Sequence, residues 1–153
     1  MAETCAVPIR PHELAVPMPE RFDAQLWFIG RIHTPWTRRG ECPRRGDPDN
    51  GPACRIEVFE PWTPGLSGIA KHGHLQILYW MDQARRDLVL QNPNYGDRAT
   101  GTFALRSPVR PNPVASSIVR LLAVEGPVLT VRGLDCLDGT PLIDIKAEFG
   151  AVP

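Results

Sequence analysis

The sequence predicts an all-β protein: a single domain of six or seven short strands, closed as a barrel or stacked as a sandwich, with long loops rich in Pro and Arg. Three observations predict it. The 153 residues include 17 prolines and 13 glycines, and breakers at that density allow short strands but not a helical bundle. Several runs alternate apolar and polar residues with the period of two that marks a half-buried strand. Turn clusters separate those runs at the spacing of an antiparallel barrel or sandwich. The length is that of one ordinary domain, and the 42% hydrophobic content is that of a chain with a core.

Taken in order, residues 1–22 read as an extended arm broken by Pro8, Pro11, Pro17 and Pro19, and 23–153 as the folded domain. Gln25 to His33 is rich in aromatic and β-branched residues and stops before Pro35, which predicts a first strand. Residues 34–53 hold Pro, Gly and Arg too densely for a regular element, and a loop of that length is usually functional or disordered. Cys54 to Glu60 alternates and reads as a strand, ended by Pro61. His74 to Asp82 is an apolar run that fits a buried strand, with a short helix as its competitor. Residues 83–90 allow a helical turn or two, and Asn92 to Gly96 is a turn cluster. Thr102 to Arg106 reads as a short strand and 107–113 as a stiff loop. Strands are predicted over 118–124, 128–134 and 142–147, separated by Glu125-Gly126-Pro127 and Asp138-Gly139. In the last of these, Ile143 and Ile145 share one face and Asp144 and Lys146 the other.

Lys+Arg and Asp+Glu are both 17, so bulk charge does not select a nucleic-acid partner. Fifteen of the basic residues are Arg, whose planar fork grips carboxylate, phosphate or a base; biased composition explains the same count. Cys5, Cys42, Cys54 and Cys136 form no C-x-x-C pair, and no apolar leader precedes them, so free thiols in a cytoplasmic protein are expected. No run is long enough to suggest a membrane helix. His72 and His74 with Cys42 and Cys54 match no common zinc spacing, and no metal is expected.

No G-x-G-x-x-G, P-loop, G-x-S-x-G or H-E-x-x-H motif occurs, and no βαβ pattern supports a doubly wound nucleotide fold. Two segments carry chemistry instead. In Arg106-Ser107-Pro108-Val109-Arg110-Pro111-Asn112-Pro113 the prolines fix the backbone before any ligand arrives, holding two Arg side chains at set places. That suits a carboxylate or a phosphate, and equally a solvated turn. Asp135-Cys136-Leu137-Asp138-Gly139-Thr140-Pro141 is a turn between strands whose carboxylates can also accept hydrogen bonds from an amine or a ribose.

Together and in this order, these segments resemble the TsaA/TrmO family. Arg106 to Leu122 is similar to its RSPxRPNPIGLSxVRLL signature, and Val131 to Lys146 to VxGxDxLDGTPxLDIK. Ile29-Gly30-Arg31-Ile32-His33-Thr34-Pro35 resembles IGxIxSP, Cys42 to Arg45 stands at xPRQ, and His74 to Trp80 resembles HLWLLFW. The resemblance covers about residues 25–147 and implies a compact barrel of six or seven strands. It also implies S-adenosylmethionine bound near a homodimer interface, and methyl transfer to N6 of threonylcarbamoyladenosine in tRNA. By position, it places cofactor contacts at Pro43, Arg44, Arg45, Met81, Asp82, Arg106, Ser116, Cys136, Leu137, Asp138 and Gly139. Arg pairs with the methionine carboxylate, main-chain groups of 136–139 with adenine, and Asp with ribose or amine. Asp82 and Asp138 are the candidates for assisting proton loss from the acceptor nitrogen. Arg38, Arg39 and Arg110, with Arg44 and Arg45, are the candidate phosphate contacts, and Trp36 the stacking residue.

The sequence departs from the family at Arg45 (for Gln), Gln76 (for Trp), Met81-Asp82 (for an aromatic-His pair) and Ala115-Ser116 (for Gly-Leu). Ala147-Glu148-Phe149 stands where PYxPYxD is usual. Three readings therefore compete: a tRNA methyltransferase, a methyltransferase with another acceptor, and a non-catalytic ligand-binding or regulatory barrel.

Overall fold

The computed structural model describes residues 8–150. Nine strands form among them: β1 (Leu14–Ala15), β2 (Gly30–His33), β3 (Ala53–Val58), β4 (His74–Trp80), β5 (Leu88–Gln91), β6 (Thr100–Gly101), β7 (Val114–Glu125), β8 (Val128–Arg132) and β9 (Pro141–Glu148). The chain divides into two compact units, one of residues up to Asp23 with Gln83–Pro113, the other of Ala24–Asp82 with the residues from Val114 onward. Residues 8–22 of the expected arm thus fall in the first unit, together with the segment inserted between β4 and β7, and residues 1–7 lie outside the described residues.

The second unit is a closed six-stranded barrel in the order β2-β3-β8-β7-β4-β9, antiparallel throughout. Of the two architectures that strand spacing allows, closure leaves no unpaired edge. Alternation decides which side chains point inward. Ile32, Ile56, Leu75, Ile77, Val119, Leu129, Val131 and Leu142 are all fully buried, each Ile or Leu contributing about 1.5–3 kcal/mol by leaving water. Two strands break the alternation with one extra residue each. Leu121 pairs with Val131 and Ala123 with Thr130, so Leu122 is bulged. Asp144 pairs with Leu78 and Leu142 with Tyr79, so Ile143 is bulged as well. The bulge corrects the expected face of β9: Leu142 and Ile145, not Ile143 and Ile145, lie on the inner side. Such insertions bend and twist a strand, which closing a small barrel requires.

Other expectations are corrected. The first strand is confined to Gly30–His33. The rings before it pack against distant rings instead, Trp27 at 6.2 Å from Trp62 and Phe28 at 6.4 Å from Trp80. Their aromatic content mimics strand propensity without a ladder to pair with. The strand expected from 118 begins at Val114, because Ser116 and Ser117 are strand residues and not a polar connection.

In the first unit, β1, β5 and β6 form a three-stranded sheet in the order β1-β5-β6. The helical reading of 83–90 fails: Leu88–Gln91 pairs with β1 and β6, and Leu88 is buried. Tertiary pairing outweighs local propensity here. Thr102 to Arg106 is not a strand either; Thr102–Ala104 makes a 3-10 turn. Thr102 is buried, its hydroxyl donating to the Leu88 carbonyl at 2.8 Å and accepting from Gln91 Nε2 at 2.8 Å. The expected turn at 92–96 is present and is built on buried Asn92, whose side chain donates to the carbonyls of Pro11 and Gly96 and accepts from the Gly96 N–H.

Candidate functional site

Antiparallel order gathers at one end of the barrel the last residues of β2, β4 and β8 and the first of β3, β7 and β9. The long β2–β3 loop (34–52) and the β8–β9 loop (133–140) therefore emerge at the same end, beside Met81 and Asp82 and the start of β7. Of the expected cofactor contacts, those on the second unit are all at this end, and Arg106 is on the first unit.

The two loops are fastened to each other and to the barrel. Thr34 N–H donates to Asp138 Oδ1 at 3.1 Å, and Thr34 Oγ1 donates to the Cys136 carbonyl at 2.8 Å. Asp138 N–H donates to the Trp36 carbonyl at 2.7 Å, and Gly139 N–H to that of Ile32 at 2.8 Å. His33 lies between carboxylates, Nε2 at 3.2 Å from Glu57 and Nδ1 at 3.7 Å from Asp138. Farther along, Gly46 presses on Gly133: a Cβ on Gly46 would stand 1.7 Å from the Gly133 carbonyl oxygen. Gly133 itself holds φ +120°, a backbone that favours glycine. The β2–β3 loop is thus a packed structure.

At its inner edge lies a polar chain in which Asp135, a carboxylate the sequence singles out, meets Tyr79 and Ser117, which the sequence does not. Tyr79 on β4 is buried, with its hydroxyl 2.8 Å from Ser117 Oγ on β7, and it donates to Asp135 Oδ1 at 2.6 Å. Burial pushes the Tyr79 phenol well above its ordinary range, with the Asp135 carboxylate adding to the effect, so the group remains a donor at any working pH. Asp135 is half-buried and makes no ion pair among the described residues. Alternation in His74–Trp80 points Tyr79 inward, but the partner of its hydroxyl depends on a contact 56 residues away.

The expected contacts differ in what they can offer. Pro43, Arg44 and Arg45 are exposed on the β2–β3 loop, as are Arg38 and Arg39. Met81 packs against the core, and Asp82 is exposed. Ser116 accepts from Gln76 Nε2 at 3.0 Å. The Cys136 side chain is buried, and burial pushes its thiol up to about 12. Burial raises the Cys54 and Cys42 thiols as well, Asp135 adding to the effect at Cys42. All three stay protonated near neutral pH, which argues against a thiolate nucleophile among them. In the 136–139 loop the carbonyls of Cys136 and Leu137 and the N–H groups of Asp138 and Gly139 are spent on the fold. Among the described residues, the N–H groups of Cys136 and Leu137 have no acceptor on another residue, and the Cys136 N–H lies against its own thiol.

Arg106 and Arg110 belong to the first unit. Arg106 is exposed. Arg110 turns back on its own loop, donating to the carbonyls of Leu105 at 3.1 Å and Ser107 at 2.8 Å. Arg86 and Gln91 brace the same loop, donating to the carbonyls of Pro111 and Val109 at 2.6 Å each. The loop's stiffness comes from these bonds as well as from its prolines. At the opposite end of the barrel, a cleft of about 430 Å³ lies among Trp62, Leu66, Ile69, Lys71, His72 and Asp144. Among the described residues, no group of three or more His, Cys, Asp or Glu could hold a metal, and no helix is long and apolar enough to cross a membrane.

The sequence profile of the tRNA-methyltransferase O N-terminal domain matches residues 31–150. VirR from Rhizobium radiobacter, by name a probable S-adenosyl-L-methionine-binding protein, is 49% identical over 140 residues, covering 92% of this chain and 79% of its own. An S-adenosyl-L-methionine-binding protein from Archaeoglobus fulgidus is 40% identical over 118 residues, which are 77% of this chain and 84% of that protein. Among solved structures, TrmO from Pseudomonas aeruginosa superposes with a TM-score of 0.68 at 29% identity over 83% of this chain. The chain spans 56% of that solved chain's length.

Proposed function

Since the chain belongs to the family of the tRNA-methyltransferase O N-terminal domain, we propose that it is an S-adenosylmethionine-dependent methyltransferase acting on N6 of threonylcarbamoyladenosine in tRNA. The observation that carries this reading is the convergence of the β2–β3 loop, the β8–β9 loop and the ends of β4 and β7 at one end of the barrel. Relatives named for binding S-adenosyl-L-methionine support the choice of cofactor. The residues fit such a ligand: a half-buried carboxylate without a cationic partner, two main-chain N–H groups without acceptors on another residue, and exposed Arg44 and Arg45 stand on the same pair of loops.

The cofactor supplies a methyl group activated on a sulfonium. The protein's part is to bind, align and keep water out. Pro43, Arg44 and Arg45 with Met81, Asp82, Ser116 and residues 136–139 form the proposed binding surface. Cys136 and Leu137 contribute main-chain N–H groups, because the Cys136 side chain is turned into the core. Asp82 and Asp138 are the exposed carboxylates available to take a proton from the acceptor nitrogen. Arg38 and Arg39 stand on the same exposed loop, placed to meet the phosphates of a tRNA. We further propose a cytoplasmic homodimer. Val114, Ile118 and Leu122 on β7 are 39%, 42% and 39% exposed, an apolar strip that a second copy would cover; a strict monomer in sedimentation removes that part.

The test is transfer itself. Protein is incubated with the methyl donor and tRNA carrying threonylcarbamoyladenosine, and the nucleosides are read by mass spectrometry. The expected result is one added methyl on that nucleoside. Cofactor uptake without methylation of that nucleoside would instead favour a different acceptor, a reading that the zero net charge also supports.

A further inference from the structure

We propose that Asp135 is the carboxylate that receives the positive charge of the bound ligand, held in place by Tyr79; this rests on the cofactor reading above. Three observations lead there. First, Asp135 stands at the junction of the β8–β9 loop with the barrel, and its charge is felt at Cys42, the residue before Pro43-Arg44-Arg45. Second, the carboxylate is built in. One oxygen is fixed by the Tyr79 hydroxyl at 2.6 Å, and that hydroxyl is also 2.8 Å from Ser117 Oγ, so strands β4 and β7 and the loop hold the group together. Third, it is unanswered. Asp135 has no Lys, Arg or His within ion-pair distance among the described residues. Its second oxygen has no hydrogen-bond partner, and it is not among the buried unpaired polar atoms, of which Arg132 Nε is the sole case in the described residues. It is therefore within reach of solvent.

A half-buried carboxylate, oriented from below and open above, fits a cation. The Tyr79 hydroxyl donates to one oxygen and leaves the other free to accept. The ligand's positive charge has two sources, a sulfonium or an α-ammonium. S-adenosylmethionine carries both, and S-adenosylhomocysteine keeps only the ammonium. Tyr79 is a positioning residue: it acts through Asp135.

The experiment is calorimetric titration of the full chain with both compounds, using the native protein, Asp135→Asn and Tyr79→Phe. Asparagine keeps the shape and still accepts from Tyr79, so only the charge is lost. The expected loss for Asp135→Asn is about thirtyfold or more in affinity for S-adenosylmethionine, the lower end of what removing one partner of a buried charge pair costs. A loss confined to S-adenosylmethionine assigns the sulfonium; an equal loss for both compounds assigns the ammonium. Tyr79→Phe keeps the buried ring and releases the carboxylate, and a severalfold loss is expected with the same preference between the two ligands. It also answers the question should Asp135→Asn fail to fold. Native affinity in both variants would overturn the proposal while leaving the cofactor reading intact. A native protein that takes up neither compound removes the cofactor reading, and the proposal with it.

Discussion

At the scale of single residues, the barrel end is shaped by groups whose protonation the fold has set. Cys136 is the clearest case. Burial pushes its thiol up to about 12 from an ordinary value of 9.0. The folded state therefore favours the protonated form. That contribution to stability is whole below pH 9 and is lost progressively as pH rises towards 12. A shift of this size is worth on the order of a few kcal/mol. Denaturant unfolding at a series of alkaline pH values should show stability falling across this window. Cys136→Ala should fall less steeply, and an identical slope in the two proteins would contradict the assignment. Tyr79, also raised by burial, steepens the decline of both at the upper end. Neither group titrates near neutral pH, so neither makes cofactor uptake pH-dependent there.

At the scale of elements, the decisive contact is between two loops. Gly46 and Gly133 approach so closely that a methyl group on Gly46 would overlap the Gly133 carbonyl at 1.7 Å. Gly46→Ala must push the β2–β3 loop off the β8–β9 loop, with an expected cost of about 1–3 kcal/mol and weaker binding of S-adenosylmethionine. Gly40→Ala, on the same loop with nothing within 4 Å of the added carbon, is the control and should be neutral within about 0.5 kcal/mol. Equal melting temperatures for the two variants would show that the loops are not packed together in solution. This contact also shows what a sequence can and cannot tell. The β-rich character, the strands over 54–60, 74–82, 128–134 and 142–147, and the stiffness of 107–113 were readable, because alternation and proline act locally. The pairing of Leu88–Gln91 with β1, the 3-10 turn at Thr102 and the bulges at Leu122 and Ile143 were not, because register is settled between distant strands. For the same reason Asp135 read both as part of a turn and as a carboxylate open to an amine or a ribose, with nothing to decide between them. Its significance depends on Tyr79, which the sequence shows only as one apolar position in a buried run.

At the scale of the whole molecule, charge is balanced, with 17 basic and 17 acidic residues, and recognition must come from local arrangement. Four arginines (Arg38, Arg39, Arg44 and Arg45) stand on the β2–β3 loop, and closure of the barrel brings that loop to the end where β4, β7 and the β8–β9 loop meet. The barrel acts as a rigid collar for two loops that would otherwise pay a large ordering cost on binding a ligand. It does so without the parallel sheet on which nucleotide-binding proteins commonly rely. Uptake of S-adenosylmethionine at this end of the barrel is measured by calorimetric titration of the native protein with that compound and then with S-adenosylhomocysteine. Saturable binding of S-adenosylmethionine in the micromolar range, with one site per chain, is expected. A folded protein that gives no binding heat with either compound at several temperatures would contradict it.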